Sequence, residues 1–221
     1  MTENPHANRP MAVWGSSLGE ARVAVLIVHG RGQTPSFMQA LSERFEVSGL
    51  RYYAPSAAAD TWYPRPFLEP IEHNEPALSE SMVALESHVS AVLSDGFTLD
   101  QVILCGFSQG ACLLSHFVLS RPVKYGGLIL LTGGYIGPDV IAGPVGKPLK
   151  GVPAVLRSIE DDPWVPRMRV EQTAAALLKA GAEVDLNIVP GDEHIITEEA
   201  VNAAATLLYN SASQANQNPT P

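Results

Sequence analysis

Apolar residues in this chain fall into two alternating patterns, short unbroken runs and longer stretches that repeat every three or four positions. Arg22–Val28, Val102–Cys105 and Gly127–Leu131 are runs of the first kind, rich in valine, isoleucine and leucine, and Val152–Ile159 reads as a further strand. Such runs suit strands covered on both faces, whereas a half-exposed strand would alternate with polar residues. Leu50–Tyr53 and Val184–Val189 read as two further strands. The helical pattern is clearest at Leu78, Met82, Leu85, Val89 and Val92, whose spacing gives one apolar face, with Pro76 suited to the first turn. Further helices are expected over Phe37–Phe45, directly after Ser108, over Met168–Ala180 with Gly181 as its C-cap, and over Thr197–Tyr209. Strands alternating with helices imply an α/β fold, a parallel sheet with helices on both faces, and ligands bound beyond the carboxyl ends of the strands.

Two segments follow neither pattern. Residues 133–151 are broken by glycine and proline and read as a loop. Residues 54–76 hold prolines at 55, 64, 66, 70 and 76 together with Trp62, Tyr63 and Phe67. A long connection this rich in aromatics is expected to be a packed flap, because disordered segments lack such side chains. Residues 1–10 and 211–221 are polar and are expected to be a mobile and a disordered tail around one domain at 11–210.

Composition narrows the possibilities. With 46% apolar and 17% charged residues among 221, the chain is expected to form one compact soluble domain. A net charge of −9 disfavours nucleic acid and anionic membrane surfaces as partners. No apolar run approaches the length that spans a bilayer, so no stable membrane insertion is expected. The first residues lack a signal-peptide core, which makes the cytoplasm the expected location. Cys105 and Cys112 read as small core residues, and no metal or organic cofactor is implied. A monomer or weak homodimer is expected.

The candidate chemistry begins at Gly106-Phe107-Ser108-Gln109-Gly110, a G-x-S-x-G that follows a buried strand and opens a helix. In that context the motif is a nucleophile elbow, with Ser108 strained and its hydroxyl presented above the sheet. A serine hydroxyl needs a base and a group that orients the base. His116 lies too close to Ser108 on the same helix, whereas His194, in the loop after the last strand, occupies the position a base requires. The orienting acid is expected in Glu160-Asp161-Asp162, where spacing alone does not separate Asp161 from Asp162. Backbone amides for an oxyanion are expected at Gln109, directly after the nucleophile, and at Arg31 in the turn His29-Gly30-Arg31-Gly32. His29 itself reads as structural.

Taken together, His29-Gly30-Arg31-Gly32, Gly106 to Ala111, Asp162-Pro163-Trp164-Val165-Pro166 and Gly191-Asp192-Glu193-His194 resemble the phospholipase/carboxylesterase family of α/β-hydrolases, which includes the acyl-protein thioesterases. The resemblance spans roughly Val23 to Leu208 and implies an α/β-hydrolase fold with a mostly parallel central sheet. It places the acid directly before P-x-V-P, which selects Asp162, and implies Ser108 as nucleophile, His194 as base, and Arg31 and Gln109 as oxyanion donors. Gln33 stands where the family commonly has an acidic residue, and the flap Thr61-Trp62-Tyr63-Pro64-Arg65 is bulky and proline-rich. With Phe67 and Trp164, Trp62 and Tyr63 are the candidate substrate contacts, and small or medium esters the expected small-molecule substrates. The alternatives are a thioesterase or lysophospholipase acting on acylated proteins or lipids, and a non-catalytic binding protein on the same scaffold.

Overall fold

The computed structural model describes residues 4–7 and 9–217. Its centre is a seven-stranded sheet formed by β1 (Ala12–Gly15), β2 (Val23–Val28), β3 (Leu50–Ala54), β4 (Val102–Phe107), β5 (Gly127–Leu131), β6 (Pro153–Ile159) and β7 (Glu183–Val189). The spatial order is β1-β3-β2-β4-β5-β6-β7, parallel throughout except that β1 runs antiparallel to β3. Among the described residues five α-helices connect or follow the strands: α1 (Pro35–Glu43), α2 (Ala77–Ser94), α3 (Gln109–Ser120), α4 (Arg167–Lys179) and α5 (Glu198–Gln217). This is the α/β-hydrolase fold that the motifs imply.

Alternation along each strand explains the unbroken apolar runs. Ala24, Leu26 and Val28 of β2 point to one face with Leu104 of β4 and Leu128 and Leu130 of β5, where α2, α3 and α4 pack on them. Val23, Val25 and Ile27 point to the other face with Ile103 and Cys105, under α1 and α5. Both faces are dry, so every position in these strands must be apolar. The stripe Leu78, Met82, Leu85, Val89, Val92 lies inward along α2 as its spacing requires.

Three elements depart from the sequence expectations. β1 has no alternating pattern and is a strand through its partner: Trp14 stacks on Tyr52 of β3 at 5.4 Å and its indole N–H donates to Ser42 Oγ at 2.9 Å. Within the expected N-terminal tail, residues 4–7 form a turn with His6 buried. Its Nδ1 accepts the Ala58 amide, its ring lies 5.6 Å from Trp62, and the Asn4 side-chain amide donates to the Glu80 carbonyl. The polar side chains that suggested a tail thus anchor this turn on the Ala58 amide and the Glu80 carbonyl. At the other end α5 runs on to Gln217 and buries Ala212, so 211–217 is helix, favoured by its alanines. Residues 1–3, 8 and 218–221 of the two expected tails lie outside the described residues.

Between β5 and β6 the chain forms no helix. The 133–151 loop is instead gathered around Arg169 of α4, a buried cation whose guanidinium donates to the carbonyls of Tyr135, Gly137 and Asp139. Among the described residues no helix is long and apolar enough to cross a membrane.

Candidate active site

β4 ends at Phe107 and α3 begins at Gln109, which leaves Ser108 alone to turn the chain, at φ 53° and ψ −120°. A non-glycine residue held there costs on the order of 1–3 kcal/mol, supplied by the strand and helix on either side. The flanking glycines permit the turn sterically. A Cβ on Gly106 would sit 2.8 Å from the Ala111 nitrogen, and one on Gly110 would sit 2.2 Å from the Val28 carbonyl oxygen. The second contact is the more telling, because it presses α3 against the end of β2, where the His29 turn begins.

His194 reaches this point from the loop after β7. Its Nε2 lies 2.8 Å from Ser108 Oγ and its Nδ1 lies 2.7 Å from Asp162 Oδ2. A carboxylate only accepts, so Nδ1 carries the proton and Nε2 is free to accept from the serine hydroxyl. The other carboxylate oxygen of Asp162 accepts the amides of Trp164 and Val165, each at 2.9 Å. Both oxygens are therefore engaged, and the carboxylate is fully buried. Glu160 instead pairs with Arg167 at the surface, and Asp161 is exposed. Phe107 packs against the imidazole with ring centroids 5.2 Å apart.

The turn after β2 closes the site from the opposite side. His29 is buried; its Nδ1 donates to the Gly30 carbonyl at 2.7 Å and its Nε2 accepts the Ala57 amide at 3.1 Å. One ring nitrogen donates and the other accepts, so the ring is neutral, and burial lowers its pKa in the same sense. Gln33 folds back so that its Oε1 accepts the Gly30 amide at 2.9 Å, a task its neutral amide performs where an acid would bring charge. A Cβ on Gly30 would sit 3.1 Å from Ser108 Cβ, so this turn abuts the nucleophile. Among the described residues no protein group accepts the amide of Arg31 or that of Gln109, the first residue of α3.

The flap is where expectation and structure part. Trp62 and Tyr63 have essentially no exposed surface, and Phe67 has little. Their rings belong to the same core as α2 and α3, so they are not walls of an open pocket. The physical reason is a set of polar anchors that pull the segment inward. The Trp62 indole donates to the His29 carbonyl at 2.9 Å, and the Ser81 hydroxyl donates to the Trp62 carbonyl at 2.6 Å. The Gln109 side chain accepts the Trp62 amide at 3.0 Å and donates to the Tyr63 carbonyl at 2.8 Å. The Arg31 guanidinium donates to the carbonyls of Pro64 and Arg65, each at 2.8 Å. Asn74, fully buried, accepts the Arg65 amide. Sequence reasoning assigned Arg31 and Gln109 by their amides and missed their side chains. A glutamine forced into the core directly after the nucleophile was the available signal. Trp164 lies at the other extreme, 71% exposed, with its amide rather than its ring facing Asp162.

His116 is half-buried on α3, 4.7 Å from the Tyr135 ring and remote in role from Ser108; burial lowers its pKa to about 4. Cys105 and Cys112 are free, and burial pushes both thiols up to about 12, out of reach of thiolate chemistry. No group of three or more histidine, cysteine or acidic residues among those described could hold a metal ion.

The sequence pattern of the phospholipase/carboxylesterase family matches residues 13–212. The chain is 26% identical to carboxylesterase SOBER1 of Arabidopsis thaliana over 198 residues, which cover 81% of this chain and 86% of that one. Among solved structures, a phospholipase/carboxylesterase from Dyadobacter fermentans superposes with a TM-score of 0.84 at 30% identity, covering 93% of this chain and 97% of that chain. The carboxylesterase of Bacillus cereus shares the fold at a TM-score of 0.75 and 18% identity, covering 96% of this chain and all of that one.

Proposed function

This chain belongs to the phospholipase/carboxylesterase family and is a carboxylic ester hydrolase, and from that premise we propose that it works through a covalent acyl-enzyme on Ser108, with His194 as base and Asp162 as its orienting acid. The observation that carries this reading is the unbroken hydrogen-bonded chain from Ser108 Oγ through the imidazole to a buried carboxylate. Ser108 Oγ attacks the ester carbonyl as Nε2 takes its proton, and Asp162 stabilises the imidazolium that forms. The developing oxyanion is held by the free amides of Arg31 and Gln109, the latter at the positive end of the α3 dipole. The imidazolium then protonates the departing alcohol. Water attacks the acyl-enzyme by the same route in reverse, with no cofactor.

Small or medium acyl groups are the proposed substrates. The support is the flap, pinned at Trp62, Tyr63, Pro64 and Arg65 by side chains from three other parts of the chain. A segment held at that many points does not act as a lid that opens for a long chain. Trp164, exposed next to Asp162, is proposed as a contact at the rim of the site.

Ser108→Ala tests the mechanism. It is expected to lose on the order of 10⁴- to 10⁶-fold in kcat and all labelling by a fluorophosphonate probe, while the melting temperature stays close to that of the unaltered chain. A purified Ser108→Ala protein that keeps a substantial fraction of its activity would overturn it. Matched oxygen esters and thioesters of rising acyl length then separate small-ester from long-chain thioester hydrolysis.

A further inference from the structure

A groove of about 360 Å³ lies between α1 and the loop after β7. It opens at the His194 ring and runs past Phe107, Phe37 and Ile195 to Arg44. Phe37 and Ile195 are large apolar side chains left 40% and 46% exposed, in a protein that otherwise buries most of its aromatics. Three rings line it in succession. Phe37 stacks on Phe107 with centroids 5.7 Å apart and planes at 22°, and Phe107 lies 5.2 Å from the His194 imidazole with planes at 35°. At the far end Arg44 pairs with Glu198 at 2.5 Å.

We propose that this groove binds the alcohol portion of the ester and selects esters of ring-sized apolar alcohols; the proposal rests on the Ser108–His194 reading above. In acylation the Ser108 Oγ–carbon bond forms and the bond from that carbon to the alcohol oxygen breaks. The serine proton passes through Nε2 to that oxygen, which leaves as neutral alcohol. The oxygen must therefore lie within hydrogen-bond reach of His194 Nε2. The carbonyl oxygen sits instead on the side of the Arg31 and Gln109 amides, where the flap closes the space. The alcohol thus departs on the imidazole side, and the groove is the apolar space that begins there.

Size and shape identify the occupant. The volume is at the low end for small-molecule sites, enough for one ring and a short linker and too little for a lipid chain. An aryl or cycloalkyl group entering it continues the offset stack of Phe37 and Phe107. Gln33 is the polar member near the reacting end, and Arg44 is already neutralised by Glu198, so no anionic alcohol is called for.

The test varies the two halves of the ester separately. Benzyl and ethyl acetate differ only in the alcohol; benzyl acetate and benzyl hexanoate differ only in the acyl group. In Phe37→Ala and in Ile195→Ala the benzyl-to-ethyl ratio of kcat/KM should fall by roughly tenfold, the scale of losing part of one apolar wall. The acetate-to-hexanoate ratio should stay within about twofold of the unaltered enzyme. Deacylation of the acetyl-enzyme should also keep its rate, because the alcohol has left by then. Ala40→Trp, which fills the exposed side of the groove and removes no packed side chain, should lower the same benzyl-to-ethyl ratio. Selectivity that moves with acyl length, or that stays put in all three variants, overturns the assignment. Failure of the underlying mechanism reads differently, as an unaltered enzyme that no fluorophosphonate labels and a Ser108→Ala variant that retains activity.

Discussion

Gln109 offers the sharpest check on how the site is built, because its amide and its side chain are assigned different tasks. Gln109→Ala keeps the backbone N–H and removes only the side chain. In the unaltered protein Oε1 accepts the Trp62 amide at 3.0 Å and Nε2 donates to the Tyr63 carbonyl at 2.8 Å, both within the core. Truncation leaves the buried Trp62 amide without a partner, worth about 1–3 kcal/mol, whereas the Tyr63 carbonyl keeps the Thr61 hydroxyl at 3.0 Å. A net loss of about 1–3 kcal/mol is therefore expected. For a chain of this size each kcal/mol shifts the midpoint by about 2–4 °C, so Tm should fall by about 2–12 °C. Urea titration followed by circular dichroism measures the loss directly. Gln109→Met is the informative companion, since it nearly keeps the volume and loses the hydrogen bonds. If Gln109→Met matches the unaltered protein within about 0.5 kcal/mol, well below the cost of one orphaned group, the polar anchoring of the flap carries no stability and the account given for the buried Trp62 fails.

Asp162→Asn should lower kcat by roughly 10⁴-fold, because an amide at Oδ2 favours the wrong imidazole tautomer; the corresponding change in a serine protease costs a loss of that order. Asp161→Asn, at an exposed carboxylate, should cost little, and equal losses in the two would place the acid elsewhere. Trp62→Ala should destabilise the protein by about 3–5 kcal/mol as a core truncation, with the acyl-length profile unchanged; a shifted profile at unchanged stability would make the ring a pocket wall after all. Acid should weaken the fold through its buried histidines. Burial lowers the His116 pKa from the ordinary 6.5 to about 4, so between those values the unfolded chain binds a proton that the folded chain refuses. That stability is present in full above pH 6.5 and is lost as pH falls towards 4. His116→Phe should flatten the slope of unfolding free energy against pH in this window, and an unchanged slope would remove His116 from the account.

Much of the fold was legible because its causes are local. β2 and β5 are apolar at every position, and only a strand with two covered faces requires that. The face of α2 follows from five residues at helical spacing. The elbow is likewise a short-range matter, since Gly106 and Gly110 mark where a Cβ cannot fit beside Ser108. β1 escaped notice because its four residues have no period of their own and become a strand only against β3.

The candidate site divides along the same line. The residue types and their order could be read, but Asp161 and Asp162 are adjacent carboxylates with identical chemistry, and spacing in the chain treats them alike. Which of them turns inward depends on the Trp164 and Val165 amides that fold back onto one carboxylate and on the imidazole that approaches it from 32 residues away. Trp62 shows the same limit: an aromatic in a proline-rich loop reads equally as a pocket wall or as core. The difference was made by Gln109, His29 and Ser81, which supply hydrogen bonds across 47, 33 and 19 residues. Periodicity and glycine sterics act over one turn or one strand and so are written in the sequence. The partners of a buried polar group are chosen by how the sheet brings distant loops together, and that was decided only in the tertiary structure.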